Sequence, residues 1–403
     1  FKQKTEYEIT CRDCSSDVCS SDLYVIRLKV PKKGQCIIDD RLRGKISYDY
    51  KQVDDQILLK SDGFPTYHLA NVIDDHLMKI THVIRGEEWL PSTPKHILLY
   101  NFWGWDKPEF IHMPLLLNPD GSKLSKRKNP TSIFYYRDAG YLPEALLNYL
   151  CMMGYSRPNG EEKFNLEEML QDFDISRISL GGSVFDLKKL GWLCGKYIRE
   201  NYTPDTLYRN LENWKLNNKF LNRVMTLMHP RMETLSDFMN HCAFFWCSDL
   251  TYAPEQLVSS RHNEEETTKA LQVFLLLFEE EPVWSAETID KKIHEAATLL
   301  EWKVRDVALP LFVAITGKKV APPLYESMEL LGLDLSRVRI LHAINKLGGI
   351  SKDKLEIIEK WLSDKRKPKE AEPAQELVGE NESEKDSIKE ENSEPGEKEG
   401  GTM

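Results

Sequence analysis

The sequence predicts an α/β half followed by an all-α half. Three observations carry that prediction. Up to about residue 121, short β-branched runs alternate with helix-like stretches, the pattern of an α/β layer with a partly parallel sheet. From residue 203 to 362, almost every stretch reads as amphipathic helix, without a short internal repeat. From Arg366 to Met403 there are twelve acidic and six basic residues and no aromatic one. Such a stretch cannot bury enough surface to fold and is expected to be a disordered acidic tail.

Taken in order, "LYVIRLKV" (residues 23–30) reads as a strand stopped by Pro31. "QILLKSDGFPTYHLANVIDD" passes from a strand, through the Asp62-Gly63 turn, into a helix. "ITHVIRG" (residues 80–86) reads as a short buried strand. "STPKHILLYNFWGW" opens a helix, with Thr93 able to cap it and Pro94 suited to its first position. "IHMPLLLN" is another apolar strand. Pro143 opens the helix "PEALLNYLCMMG", which Gly154 stops, and Asp186 caps "LKKLGWLCGKYIRE". Beyond residue 203, breaks are expected near Pro230, Pro254, Pro310 and Pro322.

Charge and cysteine content narrow the class. The chain of 403 residues has a formal net charge of −10, but the tail carries much of it, so the folded part is only mildly acidic. No apolar run approaches the length of a membrane span; "LQVFLLLF" (residues 271–278) reads as a buried helix face. Cys36, Cys151, Cys194, Cys242 and Cys247 lie among apolar neighbours, which predicts buried thiols in a reducing compartment.

Three stretches could carry chemistry. "GSKLSKRKNPTS" (residues 121–132) is a dense basic loop entered through Gly121. Its lysines and Arg127 could surround phosphate oxygens, or could simply form a solvated charge cluster. It follows a strand end at residues 115–117, where α/β proteins place ligands. In "DGFPTYHLANVIDDHLM", Tyr67 and Asn71 are four apart and share a helix face, offering a hydroxyl and an amide to one small polar ligand. His68, Asp74, Asp75 and His76 could be a metal site or a polar helix face. In "THVIRGEEWLPSTPKH", Arg85 stands at a strand end, where it could clamp a carboxylate bidentately. Glu88 and Trp89 would then offer a nucleoside a hydroxyl acceptor and a flat surface. Glu87 and Glu88 could instead be an acid/base pair, although neighbouring residues point in different directions.

"KLSKR" resembles the "KMSKS" signature of class I aminoacyl-tRNA synthetases. Together with "DGFPTYHLANVIDDHLM", "THVIRGEEWLPSTPKHILLY", "HMPLLLN", "GYLPEALLNYL" and "SLGGSVFDLKKLGWLCGKYIRE", it resembles successive blocks of bacterial-type glutamyl-tRNA synthetases, from about residue 24 to about 362. The resemblance is most specific up to Glu200. It implies the C-terminal half of a class I Rossmann-like catalytic domain, then a stem-contact region and α-helical anticodon-binding domains. The expected boundaries are 24–67 for the end of an inserted acceptor-binding domain and 68–121 for the second catalytic half. The stem-contact region with its KMSKS-type loop would be 122–202, the anticodon-binding helices 203–362 and the tail 363–403.

The resemblance also implies an activity. The family activates L-glutamate with Mg-ATP to glutamyl-adenylate and passes it to the 3′ end of tRNA(Glu), largely by positioning and charge stabilisation. Tyr67, Asn71 and Arg85 would hold glutamate. Glu88, Trp89 and Leu116 would line the adenosine site. Lys123 and Lys126 would stabilise the polyphosphate, with Ser125 and Arg127 in the same loop. Arg231, in "HPRMETL", matches an anticodon-reading arginine. The expected partners are ATP with Mg2+, L-glutamate and tRNA(Glu), with no membrane, in a monomer of the bacterial cytoplasm rather than the mitochondrion. Glutaminyl-tRNA synthetases share the subclass but carry β-barrel anticodon domains, against the helical half here.

Two features depart from the family. "CRDCSSDVCSSDL" (residues 11–23) repeats CSSD and resembles a translated adapter, making 1–23 a doubtful segment. Tyr7 and Cys11 match part of a family zinc element, but its early Cys-x-Cys pair is absent, so no zinc is expected. The family's "HIGH" signature is also absent from the 403 residues. The expectation is therefore an N-terminally truncated or mis-assembled copy that makes no adenylate, leaving a catalytically dead tRNA-binding fragment as the alternative. Deleting residues 367–403 is expected to leave the melting temperature unchanged, since a solvated tail adds no core. A clear fall in a thermal melt would show that the tail docks.

Overall fold

A computed structural model describes residues 24–124, 130–281, 283–318 and 321–366. Its first half is built on a four-stranded sheet. β1 (Ile26–Arg27) lies outside that sheet. β2 (Gln35–Asp40) and β3 (Gly44–Asp49) form an antiparallel hairpin in which Gly44 takes φ +70°. Along β2, Cys36, Ile38 and Asp40 point inward and alternate with exposed residues, the period-two pattern of a half-buried strand. β4 (Ile57–Leu59) pairs antiparallel with β1 in a separate ribbon. Gly63, at φ +79°, turns the chain into α1 (Tyr67–Leu77).

β5 (His82–Gly86), α2 (Thr93–Trp103) and β6 (Glu109–Met113) then make a parallel crossover, giving the sheet order β3-β2-β6-β5. α2 is buried continuously from Thr93 to Tyr100 because it has neighbours on two sides. Ile97 packs on Cys36, Ile38 and Phe110 of the sheet. Leu98, Leu99 and Tyr100 pack with Leu28, Leu58 and Val72 from the ribbon and α1. Strands from both sides of the boundary expected at residue 67 thus share one sheet.

Three local expectations need correction. The strand over 23–30 shortens to two residues, since only Ile26 and Arg27 stand in the ladder with β4, while Leu28 N–H donates to Gln56 O outside it. β5 is not buried: it is the sheet edge, and Ile84 is 61% exposed. Thr93 does not cap α2, because its hydroxyl is held by Trp89 and Arg85.

β7 (Leu116–Leu117) starts a tight hairpin: Leu124 N–H donates to Leu116 O at 2.9 Å, and Gly121 takes φ +77°. Downstream come α3 (Ile133–Asp138), α4 (Pro143–Cys151), α5 (Leu166–Asp172) and β8 (Ser183–Val184), which pairs parallel with β7. Asp186 caps α6 (Leu187–Asn201) by accepting from Lys188 N–H. Thr203 and Asn217 cap α7 (Pro204–Trp214) and α8 (Asn218–Met228), and α9 spans Leu235–Cys242. Asn263 caps α10 (Glu264–Glu279), the buried "LQVFLLLF" helix, and Ser285 caps α11 (Ala286–Leu300). α12 (Val304–Thr316), α13 (Leu324–Leu331), α14 (Leu333–Lys346) and α15 (Lys352–Arg366) follow.

Pro310 does not break the helical run as expected. It sits inside α12, where Val307, Leu311, Val313 and Ala314 are all buried, so packing outweighs the one backbone bond lost. Cys247 is exposed rather than buried. No helix among the described residues is long and apolar enough to cross a membrane.

One hydrophobic core runs from Tyr135 to Leu362, across the boundary expected at residue 202. Arg339 lies at its centre, 2% exposed. Its guanidinium donates to the carbonyls of Ile315 (2.6 Å), Phe244 (2.7 Å) and Cys247 (2.5 Å), stitching three separate segments together. Burial draws its pKa down to about 10. Arg339→Met would keep the volume but strand three buried carbonyls, so a loss of about 3 kcal/mol or more is expected in urea unfolding followed by circular dichroism. An unchanged midpoint would mean that water replaces the guanidinium without cost.

Candidate active site

The site forms where β5 and β6 end and α1 and α2 begin. The end of β5 brings Arg85 beside His112 of β6, its direct partner in the parallel ladder. Three neighbours hold its guanidinium. Nε donates to His112 Nε2 at 3.1 Å, Nη1 to His96 Nδ1 at 3.0 Å and Nη2 to Thr93 Oγ1 at 2.8 Å. The rings of Trp89 and Phe110 flank it at 5.9 and 5.5 Å. Of the five guanidinium N–H groups, one on each terminal nitrogen is left over. Among the described residues Arg85 forms no ion pair; its three partners are neutral acceptors. Burial lowers its pKa, opposed by Tyr67, Asp75 and Asp40, and an arginine remains charged at neutral pH.

The ring tautomers follow from the partners. Asp40 Oδ2 lies 2.6 Å from His112 Nδ1, and a carboxylate only accepts, so Nδ1 carries the proton and Nε2 is free to accept. Burial pushes the His112 pKa down, opposed by the Asp40 bond and aided by the Arg85 charge. His96 is pushed down to about 3, by burial first and then by Arg85, His68 and Lys95. With Nδ1 accepting from Arg85, neutral His96 donates through Nε2 to His68 Nδ1 at 3.0 Å. Burial also lowers the His68 pKa.

Of the residues expected to hold glutamate, Tyr67 and Arg85 meet around Trp89. The Tyr67 ring centroid is 4.9 Å from that of Trp89, and Tyr67 is 52% exposed. Asn71 lies one turn further along α1 and hydrogen-bonds the Asp75 carboxylate, whose pKa burial raises. Of the residues expected at ATP, Glu88 and Lys123 form an ion pair at 3.0 Å. Partial burial pushes the Glu88 pKa up, but its own backbone N–H and Lys123 outweigh that and hold it below the usual carboxylate range. Gly86 makes this pose possible, since a Cβ there would stand 2.1 Å from Glu88 Oε2. Leu116 opens the hairpin that carries Lys123. Ser125, Lys126 and Arg127 lie outside the described residues, as do Tyr7 and the cysteines of residues 11–23. Arg231 stands apart in the helical half and donates to Ala321 O at 2.9 Å.

The other readings disperse. Glu87 turns to Arg43 at 2.5 Å, away from Glu88. His76 stacks on Trp105 at 3.7 Å while His68 turns to His96, and no three His, Cys, Asp or Glu side chains converge among the described residues. Asp40, Thr93, His96 and His112 were missed as site residues. "IHMPLLLN" marks the strand of His112, but no local pattern joins it to Asp40, 72 positions earlier.

A lysine-bearing hairpin and a cation-bearing strand end on an α/β layer, followed by a helical half, fit the arrangement of a class I aminoacyl-tRNA synthetase. The sequence comparisons agree. The family described as "tRNA synthetases class I (E and Q), catalytic domain" matches residues 2–192, and an "Anticodon binding domain" matches residues 206–344. The glutamate–tRNA ligase of Marinomonas sp. (strain MWYL1) is 49% identical over 356 residues, 88% of this chain and 72% of that protein. The glutamate–tRNA ligase of Chlamydia caviae is 47% identical over 344 residues, 85% and 68% of the two chains. A crystal structure of glutamate-tRNA synthetase from Elizabethkingia anophelis aligns with a TM-score of 0.43 at 33% identity, covering 80% of this chain and 68% of that one. The chain belongs to the glutamate–tRNA ligase family, ATP-using and tRNA-binding ligases of translation.

The neutral imidazoles make the first half acid-sensitive. Below the ordinary histidine pKa of 6.5 the unfolded chain binds a proton that folded His96 refuses until about pH 3. That stability is present above pH 6.5 and is lost as pH falls from 6.5 towards 3. His96 alone should cost about 2 kcal/mol between pH 7 and pH 5. Urea unfolding followed by tryptophan fluorescence at the two pH values should show a loss of at least that size, since His68 and His112 act in the same direction; coincident curves would show the imidazoles protonated in the native state.

Proposed function

We propose that the pocket around Arg85 receives L-glutamate and that the Glu88–Lys123 side receives Mg-ATP, for glutamyl-adenylate formation and transfer to tRNA(Glu). The observation that carries the reading is the state of Arg85. Its guanidinium is oriented through three neutral acceptors, which leaves its charge and one N–H on each terminal nitrogen for a substrate carboxylate. Tyr67 would border it with a hydroxyl, and Asn71, one turn further along α1, would bring an amide. Trp89 offers a flat surface to adenine, with Leu116 beside the phosphate hairpin. Lys123, Lys126 and Arg127, with Ser125, would meet the charge that develops on the polyphosphate. Arg231 would read the anticodon from the helical half, and the chain would act as a monomer on residues 24–67, 68–121, 122–202 and 203–362 as expected from its sequence.

The reading is tested on glutamate binding, which calls on these residues alone. Arg85→Ala should weaken glutamate binding by roughly 2–5 kcal/mol in calorimetry, with only partial recovery in Arg85→Lys, because an ammonium cannot reproduce the fork. Unchanged affinity in Arg85→Ala would remove the clamp assignment.

A further inference from the structure

We propose that Asp40 and His112 are positioning residues for Arg85: the carboxylate holds the imidazole in its Nδ1–H form, and the freed Nε2 lone pair fixes the guanidinium. As a statement about substrate it rests on the glutamate reading of Arg85; as a statement about geometry it stands alone. The chain of contacts is continuous. Asp40 Oδ2 accepts from His112 Nδ1 at 2.6 Å and from the His112 backbone N–H at 3.0 Å. His112 Nε2 accepts from Arg85 Nε at 3.1 Å. Asp40 and His112 are 2% and 0% exposed, so water does not replace any of these partners cheaply.

The logic is one of proton placement. Were the His112 proton on Nε2, it would face the Arg85 Nε–H, donor against donor, and the guanidinium would turn away. Thr93 Oγ1, 3.1 Å from Nε2, can accept from it or donate to it and so does not choose between the tautomers; an acceptor behind Nδ1 does. Asp40 provides one that cannot donate, because its other oxygen already accepts from Leu42 N–H at 3.0 Å and Arg43 N–H at 2.9 Å. In Asp40→Asn the amide oxygen can keep the Leu42 and Arg43 bonds, which sets the NH2 group against both the His112 backbone N–H and the ring Nδ1–H, of which only the ring can yield. The ring then relieves the clash by moving its proton to Nε2, and Arg85 loses its acceptor. A carboxylate placed directly on Arg85 would orient it equally well but would spend the charge. An imidazole between the two keeps the orientation and leaves the charge available.

The test uses the full 403-residue chain with 15N-labelled histidine and arginine. Ring 15N shifts should show His112 as the Nδ1–H tautomer in the unsubstituted chain and as Nε2–H in Asp40→Asn, with loss of exchange protection at Arg85 Nε–H. L-glutamate affinity by calorimetry should fall about tenfold in Asp40→Asn. His112→Gln supplies an amide oxygen near the Nε2 position that needs no Asp40, so Asp40→Asn should cost nothing further in that background. A merely structural Asp40 would cost the same in both backgrounds and leave the tautomer unmoved. That result, or an Nε2–H ring in the unsubstituted chain, overturns the proposal. Arg85→Met separates the two readings: if it leaves glutamate binding unchanged, the clamp fails, while the tautomer and the Nε–H protection still decide the positioning chain.

Discussion

The Asp40–His112 contact is what the first half of the molecule is hung on. β2 and β6 meet through one ladder pair, Asp40 with Phe110, and the Arg41 N–H bond to Phe110 O at 2.9 Å. The Asp40 side chain adds two more bonds to the same strand, through the backbone and the ring of His112. It therefore joins the β2–β3 hairpin to the β6–β5 pair, and in the same stroke sets the ring on which Arg85 rests. Sheet continuity and site geometry share one buried carboxylate. Burying an ion is costly unless every lone pair finds a donor, and here four N–H groups converge on its two oxygens.

The charge arrangement around the site divides into a dry part and a wet part. Arg85 is held by buried neutral groups in a low-dielectric setting, where its field is little screened. Lys123 and Glu88 are both substantially exposed, at 56% and 40% of their side chains. Such an exposed pair contributes only about 0.2–1 kcal/mol, so Glu88 keeps the lysine close without committing it. The acidic balance of the whole chain is irrelevant at this range, since charges beyond about 10 Å are screened at ordinary salt.

Much of this was legible in the residues, and the failures have a common cause. The alternation of strands and helices, the cap at Asp186, and the strand-end position of Arg85 are local features. Local pattern reports them well. What escaped were contacts between distant segments. Asp40 and His112 are far apart in sequence and ordinary in type, so nothing in either neighbourhood announces the other. Thr93 has the sequence signature of a helix cap, but a tertiary partner, Arg85, claims its hydroxyl. Pro310 has the signature of a break, but burial on both sides holds the helix together. In each case a long-range interaction overrides a correct local preference.

α3 has only six residues, a rod about 9 Å long, and it is held at both ends by the helical half. At its start Ser132 Oγ donates to Asp334 Oδ2 at 2.8 Å. At its end the carbonyls of Arg137 and Asp138 accept from Trp214 Nε1 and Lys215 Nζ, each at 2.8 Å. Gly140 leaves room for the Trp214 ring, which would stand 3.0 Å from a Cβ there. The rod also carries Tyr136, whose hydroxyl donates to the carbonyl of Pro130, in the downstream part of the basic loop, at 2.6 Å. α3 is thus a strut with no position of its own. The anchorage of the basic loop on that side is therefore shared with the helices that follow, and a shift of those helices is felt at the loop's downstream end.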